Sequence, residues 1–423
     1  MVDTSYTIPG VYLETPRSKD TRVRGVPLGV AGFIGYASVR KGSDAESPSG
    51  GSPWPVLIQS IEDLEARIET PPWGNLQAAI RGFFENGGSR CFVSGLPWDV
   101  PHNPTTVLGG GGPGERHGLT AIDVVDEAEL IAAPDLFVFP PSSGAPDLGE
   151  IIATTHTILD FCSGGPQGSL SGGKYFAILD SPPAFPKNDL IDYARYLSKH
   201  PAAAFGALFY PWIDVPRQDG TLKRLPPSGQ IAGILAGLTR PPAGMPPGTV
   251  TADSGPHLSA GNHVLADAIG AEEELRRVEC RELLEANINS IIPWSGRGMV
   301  VWGTRTLSKN EEINQIATRR VLSFIERSVY FGTQWAVFEP NDPALWKQLT
   351  ARTEVFLEEI WKAGLLAGET QSEAFYVKCD EETNPPGELE EGRINIVLMV
   401  RPVRSVEFIV LKITHQGGQT TEE

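Results

Sequence analysis

The sequence predicts a mixed α/β protein with two bodies: an N-terminal α/β domain with a mostly parallel sheet, and a C-terminal α/β domain. In the first half, short apolar runs alternate with helical patterns, which is typical of a parallel sheet covered by helices. In the second half, long helical patterns come first and strand patterns follow. At each end lies a strand-like segment with no obvious partner. The 423 residues have room for about two or three domains.

The chain opens on an extended segment, YTIPGVYLE. Pro9 and Gly10 disfavour a helix there, and apolar and other residues alternate after them. The apolar positions of this segment are Ile8, Val11 and Leu13. The polar stretch PRSKDTRVRG then has the composition of a linker. We therefore predict an N-terminal arm and linker over residues 1–26.

The first body is predicted to span residues 27–264, with surface loops at about 99–119 and 239–262, which are rich in glycine and proline. Ser60 and Asn75 are in position to cap two of its helices. Its predicted strands are LGVAGFIGYA, CFVSGL, DLFVFP, YFAILD and AAFGALFY. Its predicted helices are IEDLEARI, LQAAIRGFFENGG, GEIIATTHTILDFC and NDLIDYARYLSKH.

The second body is predicted to span residues 265–404. AEEELRRVECRELLEANIN and NEEINQIATRRVLSFIERSVYFG are predicted helices. A third helix is capped by Asn341 or Asp342, carries Pro343 in its first turn and ends at Gly364. AFYVKC and INIVLMVRPV are predicted strands.

The last segment, residues 405–423, is predicted to be a second strand-like arm. Because side chains alternate along a strand, SVEFIVLKI would carry apolar side chains on both faces, and both faces would need cover. The two sets are Val406, Phe408 and Val410 on one face, and Ile409, Leu411 and Ile413 on the other. Terminal residues usually fray unless another element holds them. The sequence alone therefore leaves the partner of this strand open.

Composition excludes some classes of function. The formal net charge of −17 argues against non-specific nucleic-acid binding, which depends on cationic side chains. The four cysteines are widely spaced, so we expect buried, reduced thiols. We see no signal peptide, and the longest apolar run, AAAFGALFYPWI, is too short to cross a membrane. We therefore expect cytoplasmic synthesis and no membrane insertion.

Catalytic signatures are weak. GGGGPGERHG is rich in glycine but lacks the lysine and hydroxyl residue of a phosphate loop. There is no GxSxG motif and no histidine pair at zinc-site spacing. His156 is expected to be a half-buried structural residue, and residues 272–274 an acidic helix start. We predict no catalytic residue, cofactor or metal, although an α/β enzyme without a familiar motif stays a possible alternative.

Basic residues concentrate in the second body of this acidic chain. They are Arg297, Arg305, Lys309, Arg319, Arg320 and Arg327. Two interpretations stay open: a helix face with intramolecular ion pairs, or a docking face for an acidic protein partner.

The ordered motifs NSIIPWSGRGMVVWGTRTL, RRVLSFIERSV, GTQWAVFEPNDPALW, FLEEIWKAGLLAG, AFYVKCDEETNPP and EFIVLKI closely resemble the C-terminal half of contractile tail sheath proteins. In the first half, IPGVYLE, GVAGFIGYA, FFENGGSRCFV and LPPSGQIAGILAGLTR are similar to the same family. The resemblance covers nearly the whole chain. The segment HLSAGN departs from the form that the family often has at this position.

This resemblance implies a non-enzymatic subunit that forms stacked hexameric rings around an inner tube. It implies that both arms leave their own subunit and add strands to a small sheet in neighbouring copies. It further implies contacts with the tube, the baseplate and a terminator or cap protein. Lys309, Arg319 and Arg320 are the candidates to face the tube, and the linker with Gly25 is the candidate hinge.

Some alternatives stay open within this interpretation. The motifs do not separate a phage tail from an injection system, whether released or anchored at a membrane. A tube, baseplate or capsid component is the nearest structural alternative. One chain with both sheath halves argues against the two-protein sheath of type VI secretion.

Overall fold

The computed structural model describes residues 22–43, 53–99, 103–110, 116–139, 147–164, 175–217, 219–240 and 258–404. Within these ranges, no helix has the length and apolar character needed to cross a membrane.

The strands, in chain order, are β1 Ala31–Tyr36, β2 Ser38–Val39, β3 Val56–Ile58, β4 Ile68–Glu69, β5 Cys91–Leu96, β6 Leu130–Ala132, β7 Phe176–Asp180, β8 Gly206–Tyr210, β9 Ile213–Pro216, β10 Leu222–Leu225, β11 Gly270–Ala271, β12 Ile288–Trp294, β13 Gly298–Trp302, β14 Phe375–Lys378 and β15 Val397–Val400. The α-helices are α1 Ile61–Arg67, α2 Leu76–Glu85, α3 Pro104–Leu108, α4 Gly118–Ile122, α5 Leu148–Ser163, α6 Lys187–Leu197, α7 Ser228–Leu238, α8 Arg277–Glu285, α9 Ile316–Thr333, α10 Pro343–Lys362, α11 Gln371–Ala374 and α12 Pro386–Glu390.

An eight-stranded sheet forms the centre of the molecule, in the order β13-β12-β8-β7-β6-β1-β5-β3. Neighbours from β12 to β5 pair in parallel, while β13 and β3 pair antiparallel at the two ends. Hydrophobic clusters cover both faces, one with α2 and α7 and the other with α5 and α6. The mixed α/β class with a mostly parallel sheet is therefore confirmed.

Helices α2 and α7 approach closely because glycine lines their contact. A Cβ atom at Gly229 would lie 2.2 Å from the Ala79 carbonyl oxygen, and one at Gly233 would lie 2.3 Å from the Phe83 carbonyl oxygen. Helix α7, within the run PPSGQIAGILAG, is buried from Ser228 to Ala236, and its backbone packs directly against α2.

The sheet does not end at the predicted boundary between residues 264 and 265. Strands β12 and β13 lie beyond that boundary and complete one end of the sheet. The predicted helix AEEELRRVECRELLEANIN is helical only over α8, because Asn287 adopts a left-handed φ of 62° and the chain then turns into β12. The central sheet therefore contains strands from both sides of the predicted boundary at residue 265.

The predicted strand DLFVFP is also wrong. The strand lies earlier, at β6, and residues 134–137 form a turn after it. The buried Asp135 carboxylate accepts hydrogen bonds from the backbone N–H groups of Tyr36 and Asn75 at 2.9 and 2.5 Å. Asp135 thus lies in a turn and accepts a hydrogen bond from the residue that precedes α2. The apolar pattern of the sequence does not reveal this role.

The C-terminal helices α9 and α10 pack with β14 and β15 around a third cluster, called here the C-terminal cluster. Val23 and Val26 belong to it and are 6% and 7% exposed. The Val26 N–H donates to the Ser328 hydroxyl at 3.0 Å. Residues 22–26, predicted as part of a free linker, are therefore fixed on α9, and Gly25 lies within this fixed stretch.

Two buried carboxyl groups stand at the carboxyl ends of parallel strands. Asp180 is the last residue of β7, and its carboxylate accepts the Ser228 N–H at the start of α7 at 2.9 Å. Asp135 follows β6, and its carboxylate accepts the Asn75 N–H at the start of α2. Burial raises the pKa of Asp180 to about 7 and that of Asp135 to about 6, against backbone hydrogen bonds that lower both. The folded chain therefore binds protons here more tightly than the unfolded chain does.

The stability contributed by these groups is expected to be present in full below about pH 4 and to be lost as the pH rises through about 6 to 7. Asp180→Asn keeps an oxygen acceptor for Ser228 and cannot ionise. It is expected to flatten the fall in stability across this range, by an amount on the order of a few kcal/mol. Urea unfolding midpoints at several pH values measure this change in the pH dependence of stability. Asp192→Asn is the control, since that side chain is 75% exposed. An Asp180→Asn profile parallel to that of the unaltered chain would contradict the assignment.

Candidate assembly interface

The candidate interface is built on the two-stranded antiparallel sheet of β14 and β15. One face is packed on the C-terminal cluster through the buried Phe375 and Val377 and the half-buried Leu398 and Val400. The opposite face is open and largely apolar. Its exposed side chains are Tyr376 at 48%, Val397 at 43% and Met399 at 57%.

Both outer edges of this sheet lack a strand partner within the described part of the chain. The Arg401 N–H donates to the Ala374 carbonyl at 2.9 Å, so the backbone groups of odd-numbered residues along β15 point toward β14. The N–H and C=O groups of Leu398 and Val400 therefore point away from β14. By the same alternation, those of Phe375 and Val377 point away from β15, and the Phe375 N–H there donates to the Gln371 carbonyl at the end of α11. A two-stranded sheet with open edges is a template for further strands.

A cleft of about 300 Å³ runs along the outer edge of β14, between this strand and α10. It is lined from α10 by Lys347, Thr350, Ala351 and Glu354, and from β14 and the following turn by Tyr376, Val377, Lys378, Cys379 and Asp380. The cleft thus offers backbone groups on one side and a mixed-charge helix surface on the other, which suits an extended segment.

The predicted strand arms lie outside the described residues. They comprise Ile8, Val11 and Leu13 at one end, and Val406, Phe408, Ile409, Val410, Leu411 and Ile413 at the other. The structure describes the residues next to each arm. Arg22 follows the N-terminal arm and precedes Val23, whose Cα would lie 2.8 Å from a Cβ atom at Gly332 of α9. The C-terminal arm follows Arg404, four residues after β15 ends at Val400.

Two of the three residues predicted to face a tube are not at the surface. Lys309 is exposed, but Arg319 and Arg320 are 6% and 0% exposed. Arg319 lies over the Phe205 ring at 4.5 Å and pairs with Glu326 at 3.0 Å. Of the two interpretations of the basic residues, intramolecular pairing therefore applies to Arg319 and Arg320. Of the three predicted tube contacts, only Lys309 stays a candidate.

Arg320 forms a buried ion pair with Glu129. Its Nε and Nη2 atoms donate to the two Glu129 carboxylate oxygens at 2.7 and 3.0 Å, and its Nη1 donates to the Leu258 carbonyl at 2.9 Å. Glu129 also accepts the Gly29 N–H at 2.5 Å. This pair ties α9 to the segment before β1 and to the residue before β6.

The position of Arg320 in the sequence indicates that its side chain is buried, although the many basic residues around it suggest a surface. Arg320 lies four residues after Ile316 and four before Phe324, on the apolar stripe of α9. A charged side chain on such a stripe is buried, and a buried charge needs a partner. Glu129 is 191 residues away, so spacing could not have identified it.

The other residues considered for metal binding or catalysis are the cysteines and His156. Across the described residues, no group of three or more His, Cys, Asp or Glu side chains could hold a metal ion. All four cysteines are buried and free, as predicted. His156 is half-buried and stacks on His200 with ring centroids 4.3 Å apart, which confirms its predicted half-buried position. Burial, then the neighbouring His200, lowers the pKa of His156.

The acidic run at residues 272–274 is not a helix start. Glu272 accepts the Ala184 N–H at 3.0 Å and Glu273 accepts the Tyr210 hydroxyl at 2.5 Å, whereas α8 begins at Arg277. These carboxylates hold the segment before α8 against the central sheet.

The fold, a mostly parallel α/β body with a small sheet near its C-terminal end, is similar to that of solved contractile sheath subunits. It matches the helical sheath of the anti-feeding prophage in its contracted state with a TM-score of 0.69 and 25% identity, over 97% of this chain and 100% of that one. It matches a chain of the six-fold symmetrised baseplate of the same particle with a TM-score of 0.66 and 26% identity, over 97% and 100% of the two chains.

Sequence comparison agrees with this class. Residues 308–416 match the model of the phage tail sheath C-terminal domain. The tail sheath protein of Vibrio phage KVP40 is 24% identical over 139 residues, which are 33% of this chain and 20% of that protein. This chain therefore matches about one fifth of that relative's length. The C-terminal part of the chain thus matches the tail sheath family, and the predicted resemblance to contractile tail sheath proteins is confirmed.

Proposed function

We propose that this chain polymerises with copies of itself into a six-fold sheath around an inner tube, and that repacking of its subunits shortens the sheath and drives the tube through a target envelope. The observation that carries the proposal is the β14–β15 sheet, which has an exposed apolar face and, among the described residues, no strand on either outer edge. The six-fold order is carried over from the baseplate of the anti-feeding prophage. The proposal includes cytoplasmic synthesis and assembly on the tube.

Strand exchange between copies accounts for the open edges. We assign the two edges to the two arms, one N-terminal and one C-terminal, donated by neighbouring copies. This is strand addition, in which main-chain hydrogen bonds supply affinity and alternate side chains supply specificity. Each subunit then lends two strands and receives two.

The energies suit a lattice rather than a stable pair. Burying six large apolar side chains of the C-terminal arm gains roughly 10–15 kcal/mol in total. Ordering the backbone costs about 1–2 kcal/mol per residue, which offsets most of that gain. A single arm contact is therefore weak, and many contacts along a cylinder become strong through multivalency. Energy for contraction would then be stored in subunit interfaces.

The arms would also keep subunits connected while their bodies move. Because Val23 and Val26 fix residues 22–26 on α9, the pivot of the N-terminal arm is proposed to lie before Arg22, not at Gly25. The proposed partners beyond other copies are the inner tube, the baseplate and a terminator or cap protein. Lys309 is the proposed tube contact.

Electron microscopy of the purified chain, alone and together with its tube protein, tests the proposed function. Hollow striated cylinders are expected, in a long narrow form on the tube and a short wide form after firing. Particles that stay monomeric, or that close into small rings at every concentration, would contradict it.

Met399→Glu is expected to weaken assembly without altering the fold. The side chain is 57% exposed, so the isolated chain tolerates a charge there. In the proposed sheet this charge would lie beside apolar side chains of an added arm, and the concentration needed for assembly is expected to rise at least several-fold. Sedimentation and thermal unfolding measure the two effects. Val278→Glu is the matched control, because Val278 is 69% exposed on α8. Equal assembly of both variants would argue against the open sheet as the interface.

A further inference from the structure

Two histidines from different elements stack on each other beside the end of α6. The His156 ring of α5 lies on the His200 ring with centroids 4.3 Å apart, and it also stacks on Tyr196 of α6 at 5.9 Å. His200 follows α6, in the turn that leads toward β8. The pair therefore joins α5 to this turn, and residues 156–160 and 196–203 are called here the histidine corner.

The hydrogen bonds of both rings favour neutral imidazoles. The His200 Nδ1 accepts the Ala202 N–H at 3.3 Å, so this nitrogen is unprotonated and Nε2 carries the proton of the neutral ring. The His156 Nε2 is buried and has no hydrogen-bond partner among the described residues. A second proton on His200 would face the Ala202 N–H, and a proton on His156 Nε2 would enter a site without an acceptor. Either event carries a cost in free energy.

Two charged side chains lie near the pair. The Asp160 carboxylate of α5 is 3.6 Å from the His200 Nε2, and its side chain is 49% exposed. Water therefore screens it, and it compensates a positive charge on the pair in part. Lys199 lies over the Tyr196 ring at 5.8 Å and adds a positive charge to the same corner.

The other elements packed here add little charge. On α6, Tyr193 faces Thr155 with their hydroxyl oxygens 3.3 Å apart, and burial raises the pKa of Tyr193 to about 12, so it stays neutral at physiological pH. Asp192 and Arg195 of α6 pair with each other at 3.2 Å on the surface. Helix α3, which also packs on α5, has no titratable side chain, and neither has the turn Ala203–Phe205.

Protonation of both rings would place two positive charges at stacking distance, where they repel each other strongly. Burial, then His200, lowers the pKa of His156, while Asp160 raises it. The unfolded chain binds this proton with an ordinary pKa of about 6.5, and the folded chain binds it less tightly. The stability contributed by the neutral pair is therefore present in full above about pH 6.5 and is lost as the pH falls below that value.

We propose that His156 and His200 form a pH-sensitive lock, in which the neutral stacked pair holds the histidine corner closed and protonation of both rings releases the turn from α5. Helices α5 and α6 cover one face of the central sheet, so release loosens this layer while the sheet itself stays folded. The lock involves neither the arms nor the β14–β15 sheet and is independent of the proposed polymerisation.

Hydrogen exchange of the dispersed full chain, read in peptides that cover residues 193–203, tests the lock. After correction for the intrinsic effect of pH on exchange, protection of these amides is expected to fall about tenfold or more between about pH 7.5 and about pH 5, while protection of β1 and β7 persists. Asp135 and Asp180 stabilise the chain at low pH, so they cannot cause this loss. Unchanged protection of the corner, or an equal loss in β1 and β7, would overturn the proposal.

Two substitutions keep contacts of the pair and remove its double charge. His156→Phe keeps a ring that can stack, and His200→Asn keeps an acceptor for the Ala202 N–H. In each variant, protection of the corner at about pH 5 is expected to stay within about threefold of its value at about pH 7.5. His263→Gln is the matched control, because this half-buried ring bonds to the Gly261 carbonyl at 3.0 Å in another segment, and it should keep the full acid response. A full acid response in either folded variant of the pair, or its loss in the control, would reject the lock.

Discussion

Replacing Arg320 by methionine is expected to destabilise the folded chain by about 3–5 kcal/mol. The substitution leaves Glu129 buried, with its side chain 3% exposed and its cation removed. The Gly29 N–H would still donate a hydrogen bond to this carboxylate, but it cannot neutralise the charge. Glu129→Leu is expected to be similarly harmful, because it leaves an uncompensated guanidinium in the interior.

Urea unfolding of the dispersed chain measures this effect as a lower midpoint. The double variant Arg320→Met with Glu129→Leu is expected to recover most of the loss, since an apolar pair can replace a buried ion pair. The control is Arg281→Met, which breaks a pair with Glu285 at 82% and 64% side-chain exposure and should cost less than about 1 kcal/mol. A small effect for Arg320→Met alone would show that the pair does not hold α9 in place.

Removing residues 405–423 is expected to abolish sheath assembly and to leave the monomer folded. All described helices and strands end by Val400, so the truncation removes none of them. It does remove the six apolar side chains proposed to fill an edge on a neighbouring copy. With each subunit unable to donate that strand, no cylinder should form at any accessible concentration.

A shorter truncation controls for loss of the terminus itself. Removing residues 417–423 takes away GGQTTEE and keeps all of SVEFIVLKI, so assembly is expected to persist. Circular dichroism and thermal unfolding verify that both truncated chains fold. Cylinders formed by the chain that lacks residues 405–423 would reject the role of the C-terminal arm.

Local chemistry predicted several element ends correctly. Ser60 caps α1 by accepting the Asp63 N–H at 3.1 Å, and Asp342 caps α10 by accepting the Leu345 N–H at 2.8 Å. Gly364 follows α10 with a φ of 79°. Each of these signals acts within a few residues, so the sequence contains it directly.

Errors arose where distant residues decide the structure. Asn75 begins α2, but its side chain makes no capping bond; Asp135, sixty residues away, accepts the Asn75 N–H instead. Strands β12 and β13 join the large sheet through β8, a pairing that local patterns do not reveal. Arg320 is buried, contrary to the predicted surface position, because it pairs with Glu129, which is 191 residues away in sequence.

The candidate interface was only partly accessible to prediction. AFYVKC and INIVLMVRPV are predicted strands, and the structure shows that they pair with each other and that no other described strand lies on either outer edge. The terminal arms followed from apolar alternation and the family resemblance, and their pairing stays a prediction.

The most direct measurement is a cryo-electron microscopy structure of the assembled particle at a resolution that traces the chain. We expect the β14–β15 sheet of each subunit to be flanked by YTIPGVYLE from one neighbouring copy and SVEFIVLKI from another. Edges left open in the particle, or occupied by the arms of the same chain, would contradict the account.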